Sequence, residues 1–185
     1  MNKFRCVKKY VYSEHLMLYS WASRFVSGKK VLDLGCGEGY CLIGVSLIAK
    51  EIVGIDMGIN EFGRNVGHTF ETNTYYCPTT FKKKNLEKEL IDESCDVCFA
   101  FEFLEHIENP DFVLEQIKNV PLFIFSLPHN APAKQHKQNF TSKQQVEDLI
   151  GKYFKNIDWW YLRHGVLQKQ PFTSPARYIG ICSNL

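Results

Sequence analysis

The segment from Val31 to Gly39, Val-Leu-Asp-Leu-Gly-Cys-Gly-Glu-Gly, constrains the fold of this 185-residue chain more than any other. A short apolar run of strand character passes directly into three glycines at alternate positions. Glycine adopts positive φ freely and carries no Cβ, so the loop turns sharply and its backbone can lie close to a ligand. In an open α/β sheet such a loop sits at the carboxyl end of the first strand, beside the point where strand order reverses.

The rest of the chain continues the alternation. Leu18, Trp21, Ala22 and Phe25 recur at i, i+3, i+4 and i+7, which predicts an amphipathic helix that Ser13 can cap and Gly28 ends. Further strands are expected over 52–56, 80–84, 96–101, 122–127, 157–162 and 178–182. Helices are expected over 40–50, after Asn109-Pro110 and after Thr141 or Ser142. Apolar strands alternating with helices imply a mainly parallel sheet covered on both faces, a doubly wound α/β fold. With no linker or repeat, we expect one domain over 1–185, a helical lid region at 1–28 followed by a core at 29–185.

Composition narrows the partners. Net charge is +2, which gives no general field for drawing in nucleic acid or an anionic membrane. No run of ~18 apolar residues is present, so no membrane span is expected. Seven scattered cysteines and no export signal lead us to expect reduced thiols and a cytoplasmic address. Cys95 and Cys98 lie three apart in what reads as a strand, so their thiols should point to opposite faces.

The glycine loop alone is shared by several nucleotide-binding folds. Dinucleotide sites favour Gly-x-Gly-x-x-Gly with a pyrophosphate on the helix amino terminus. Here the third glycine comes one residue early, and Asp33 stands two residues before Gly35. A carboxylate there suits a cationic ligand, and S-adenosylmethionine carries an ammonium and a sulfonium without phosphate. Asp56 ends the next strand 17 residues after Gly39, about the spacing at which an acid accepts ribose hydroxyls.

Together, VLDLGCGEGY, EIVGID and CDVCFAFEFLEHIENP resemble the ordered motifs of class I S-adenosylmethionine-dependent methyltransferases, and the flanking segments resemble small bacterial members. The resemblance spans roughly residues 14 to 155 and implies a Rossmann-like seven-stranded sheet, order 3-2-1-4-5-7-6, with an extra amino-terminal helix. It also implies that Gly35, Cys36, Gly37 and Gly39 surround the methionine portion of S-adenosyl-L-methionine and that Asp33 holds its ammonium. Asp56 and Met57 would meet the ribose, Asn85 and Leu86 the adenine, and Phe101 and Glu102 the transferable methyl. Asn85 replaces the usual Asp, and Lys118 to Pro121 replaces the usual Gly-Gly hairpin.

Candidate chemistry clusters in Glu102, Glu105 and His106, which would share a face of a helical turn, with His136 downstream. His106 reads as a general base or as a structural histidine. The same Glu-x-x-Glu-His arrangement with a distant histidine also resembles Mg-dependent small-RNA terminal 2′-O-methyltransferases, in which these groups would hold a divalent cation. No metal ligand is expected. His129 can face an acceptor or be a plain turn residue, and His15 and Tyr19 belong to the expected lid. Lys82 to Lys84 is read as protection of an edge strand, and Trp159 to Tyr161 as packing. The expected activity is methyl transfer to an oxygen or nitrogen of a small acceptor, in a monomer or homodimer. The alternatives are an RNA 2′-O-methyltransferase and a catalytically silent cofactor-binding module.

Overall fold

The computed structural model describes residues 13–58 and 75–184. Its centre is an eight-stranded sheet formed by β1 (Lys30–Leu34), β2 (Glu51–Asp56), β3 (Thr79–Lys83), β4 (Val97–Phe101), β5 (Leu122–Pro128), β6 (Asn156–Arg163), β7 (Val166–Gln168) and β8 (Arg177–Ser183). The order is β3-β2-β1-β4-β5-β8-β6-β7. β1 to β5 are parallel, and the β5–β8, β8–β6 and β6–β7 pairings are antiparallel. The expected seven-strand order is therefore present, with the three-residue β7 added at one edge by a hairpin through Gly165.

Alternate residues of each strand feed two apolar layers. Leu32, Leu34, Cys98, Ala100, Phe123, Phe125 and Leu127 pack with α3 (Pro110–Ile117) and α4 (Lys143–Ile150). Val31, Val97, Phe99, Phe101 and Ile124 pack with α1 (Ser13–Ala22) and α2 (Leu42–Val45). Covering both faces is what the continuous apolar strands require. Because Asp33 shares its face with Val31, its carboxyl points into the α1 layer.

Local signals explain most boundaries. Ser142 accepts from the Gln145 backbone while the Gln145 side chain returns to the backbone N–H of Ser142, a complete capping box. Gly28 follows a 3₁₀ turn over Ser23–Phe25, with φ +67°. Pro110 starts α3 as expected, but Asn109 makes no side-chain cap bond.

Two expectations are corrected. The helix foreseen over 40–50 is α-helical only from Leu42 to Val45. Ser46 Oγ donates to the Ile43 carbonyl at 2.7 Å and competes with helical bonding just after Gly44. Cys95 lies ahead of β4, outside the strand, so alternation does not separate it from Cys98. Its thiol pKa is lowered, chiefly by the Cys98 thiol. Both are free cysteines.

β3 is indeed an edge, and Lys82 and Lys84 reach Glu93 at 2.8 and 3.1 Å. Trp160 packs edge-on to Trp21 at 5.3 Å and Trp159 to Phe125 at 5.9 Å, in keeping with a packing role. No described helix is long and apolar enough to cross a membrane.

Candidate active site

The glycine loop leaves β1 through Gly35, Gly37 and Gly39, all at positive φ. At Gly35 (φ +71°) a Cβ would lie 2.4 Å from Cδ2 of Phe103, so only glycine lets the loop approach the turn after β4. Gly35 and Cys36 donate to the Ile55 carbonyl at 2.8 and 3.2 Å, which ties the loop to the end of β2. Cys36 itself is buried, and burial raises its thiol pKa well above the usual value. It contributes packing and does not line the cavity described next.

That cavity, about 310 Å³, opens at the carboxyl ends of β1, β2 and β4. Gly35, Asp56, Met57, Asn85, Leu86 and Glu102 line it, and so does His106. Seven of the sequence-derived residues thus converge on one space. Phe101 does not line it; its ring packs on Tyr19 at a centroid distance of 4.9 Å. Lys84, Glu87, Phe103 and Ile107 join the wall without having been foreseen. No periodicity distinguishes such loop positions.

The two acids foreseen for the cofactor are held differently. Asp56 accepts from Gly37 N–H through Oδ2 at 2.9 Å and from Gly58 N–H through Oδ1 at 2.6 Å, so the backbone orients its carboxylate. Asp33 is 0% exposed; Oδ2 accepts from the Tyr19 hydroxyl at 2.8 Å, and Oδ1 has no hydrogen-bond partner. Burial pushes its pKa up to about 8, offset in part by the Tyr19 hydrogen bond and raised further by Asp56. An orphaned, buried carboxyl oxygen fits an incoming ammonium. Asn85 Oδ1 accepts from the Glu87 N–H at 3.0 Å, which leaves its amide N–H₂ as the group not already bonded.

The expected face shared by Glu102, Glu105 and His106 is not formed. Only Leu104–His106 makes a 3₁₀ turn, and Glu102 lies before it at φ +51°. Glu102 accepts a hydrogen bond from Ser126 and forms an ion pair with Arg177, while Glu105, His106 and His136 gather separately, their ligand atoms within 4.8 Å of one another. His106 Nδ1 lies 3.1 Å from the Gln135 carbonyl and His136 Nδ1 2.7 Å from the Ala131 carbonyl. A carbonyl only accepts, so each Nδ1 carries a proton, and in the neutral imidazole Nε2 is the nitrogen with the lone pair. Glu105 is 1% exposed, and its Oε2 has no hydrogen-bond partner. Burial first, then the nearby Glu102, push its pKa up to about 8.

His129 ends up against Tyr178, Nδ1 to hydroxyl at 2.7 Å, at the carboxyl end of β5. Arg177, which carried no sequence signal, reaches Glu102 from β8 and is the principal omission from the sequence reading.

A Rossmann-like sheet with a glycine loop, an acid at the end of β2 and an orphaned carboxyl behind the loop has the form of a nucleoside-binding domain. A model described as "Methyltransferase domain" matches residues 9–177, and the chain belongs to that family, the class I S-adenosylmethionine-dependent methyltransferases. It is 30% identical over 130 residues to the ubiquinone biosynthesis O-methyltransferase of Photobacterium profundum, covering 68% of this chain and 54% of that protein. The chain thus spans about half the length of that relative. The fold matches the small RNA methyltransferase HEN1 with a TM-score of 0.76 at 16% identity, over 99% of this chain and 26% of that one. It also matches magnesium protoporphyrin IX methyltransferase of Synechocystis, solved with bound SAH, with a TM-score of 0.63 at 15% identity over 91% and 81%.

Proposed function

We propose that this chain transfers the methyl of S-adenosylmethionine to a hydroxyl oxygen of a small acceptor. The observation that carries this reading is His106: it lines the cavity with Nδ1 committed to a carbonyl and Nε2 bearing a lone pair. Methyl transfer from a sulfonium is an in-line displacement that needs positioning and, for a hydroxyl, a group to take the proton. Asp33 would meet the cofactor's ammonium, Asp56 its ribose, and Asn85 and Leu86 its adenine. His106 Nε2 would receive the acceptor's proton. The relative named a ubiquinone biosynthesis O-methyltransferase favours oxygen over nitrogen.

The Glu105–His106–His136 cluster favours a second reading, in which a divalent cation assists the transfer. The donors fit. Two imidazoles have Nδ1 fixed by carbonyls, and a buried carboxylate oxygen lacks a partner, as a ligand set with oriented outer contacts requires. A bound cation would supply Lewis acidity toward a hydroxyl; the chain's own residues would hold and orient it.

The test is turnover of labelled S-adenosylmethionine with catechol-type hydroxyl acceptors and with terminal-ribose RNA, each with EDTA and with added Mg²⁺ or Mn²⁺. We expect transfer to the small hydroxyl acceptors, lowered ~10²-fold or more by His106→Ala with S-adenosylhomocysteine affinity kept within about threefold. Activity abolished by EDTA and restored by metal selects the cation reading, and activity on RNA alone selects the polymer. No turnover on any hydroxyl counts against both.

A further inference from the structure

Glu102 is held more firmly than a surface glutamate needs to be. A non-glycine residue at φ +51° persists only where its surroundings determine it. Its backbone N–H donates to Ser126 O at 3.2 Å and to Ser126 Oγ at 3.0 Å. The Ser126 hydroxyl in turn donates to Glu102 Oε1 at 2.7 Å. The other carboxylate oxygen, Oε2, lies 3.0 Å from Nε of Arg177. Arg177 carries a second carboxylate as well, pairing through Nη1 with Glu14 of α1.

The register explains the convergence. Phe101 of β4 pairs with Ser126 of β5, and Pro128 of β5 pairs with Arg177 of β8. Neighbouring strands therefore bring Ser126 and Arg177 against Glu102, which itself lines the cavity. The guanidinium is largely buried, with 18% of its side chain exposed. There its charge is weakly screened and its flat fork can serve two carboxylates at once.

We infer that Arg177 is a positioning residue for Glu102 that sets how much negative charge this carboxylate presents to the methyl end of the cofactor cavity. The inference rests on the cofactor reading above. S-adenosylmethionine brings a sulfonium to that end, whereas its demethylated product brings a neutral thioether. An uncompensated carboxylate would strongly favour the cation over the product. Sharing one guanidinium between Glu102 and Glu14 offsets part of that charge and keeps the two affinities closer. Glu14 belongs to the same network: it draws on the guanidinium that Glu102 also uses.

Isothermal titration with S-adenosylmethionine and S-adenosylhomocysteine tests this without any acceptor. The readout is the ratio of the product's Kd to the cofactor's Kd. R177M should raise the ratio about three- to tenfold, and R177K should stay within about twofold of the parent. In an E102Q background, R177M should leave the ratio unchanged, because the guanidinium would act through a carboxylate no longer present. Should R177M fail to fold, E14Q carries the test with the opposite sign: releasing Arg177 to Glu102 alone should lower the ratio. A ratio unchanged or lowered by R177M, an equal shift in the E102Q background, or a rise in E14Q overturns the inference. A purely structural tie between β8 and α1 would change Tm without moving the ratio. A parent protein that binds neither compound sinks the cofactor reading itself, and with it this one.

Discussion

At the scale of single residues, Asp33 does what a buried carboxyl rarely does: it keeps one oxygen bonded to Tyr19 and leaves the other without a partner. Its pKa rises from the usual ~3.9 to about 8, so the folded chain binds that proton more tightly than the unfolded chain. The stabilisation is fully present below pH ~4 and is lost as pH climbs toward 8. In the cofactor-free protein we therefore expect the thermal midpoint to fall between pH 5 and 8, and to fall less steeply in Asp33→Asn. Equal slopes in parent and variant would remove the assignment. The sequence places Asp33 by its spacing from the glycines, and the resemblance supplies its role. The sequence holds no trace of Tyr19 as its partner, because a hydrogen bond across 14 residues leaves no periodic mark. Arg177 was illegible for the same reason: its importance comes from strand register and from no local motif.

At the scale of elements, strands were easier to foresee than helices. β1 and β5 are apolar runs bounded by glycine or proline, β4 is buried along its whole length, and a strand buried on both faces tolerates little else. α2 was over-read because apolar composition over 40–50 does not reveal that Ser46 turns back onto Ile43. The turn after β4 was misjudged because a helical spacing of Glu102, Glu105 and His106 assumes a helix that begins two residues later and is 3₁₀. β7 escaped notice for its length. The β5–β8 seam has a demand of its own. A Cβ at Gly180 would lie 2.3 Å from Cε1 of Phe125, so Gly180→Ala must displace a fully buried ring. We expect a loss of about 1–3 kcal/mol in a denaturant titration, as overpacking a core produces. A neutral result would mean that the seam has slack.

At the scale of the whole molecule, the cavity lies where β1, β2 and β4 end, so a ligand there bridges both halves of the parallel sheet. S-adenosylhomocysteine at a hundredfold its Kd should stabilise the protein by ~2.7 kcal/mol. For a chain of this length that is a rise of roughly 5–11 °C in Tm by scanning fluorimetry. Asp56→Ala should lose most of the rise at the same ligand concentration while the ligand-free Tm stays near the parent's. An undiminished rise would take Asp56 out of the site. The β8 arrangement has a consequence for synthesis. β8 is the last described strand in the chain, yet it slots between β5 and β6 and brings the guanidinium to Glu102. A nascent chain still lacking that strand leaves Glu102 without its cation. The charge at that corner is balanced only once β8 has joined the sheet.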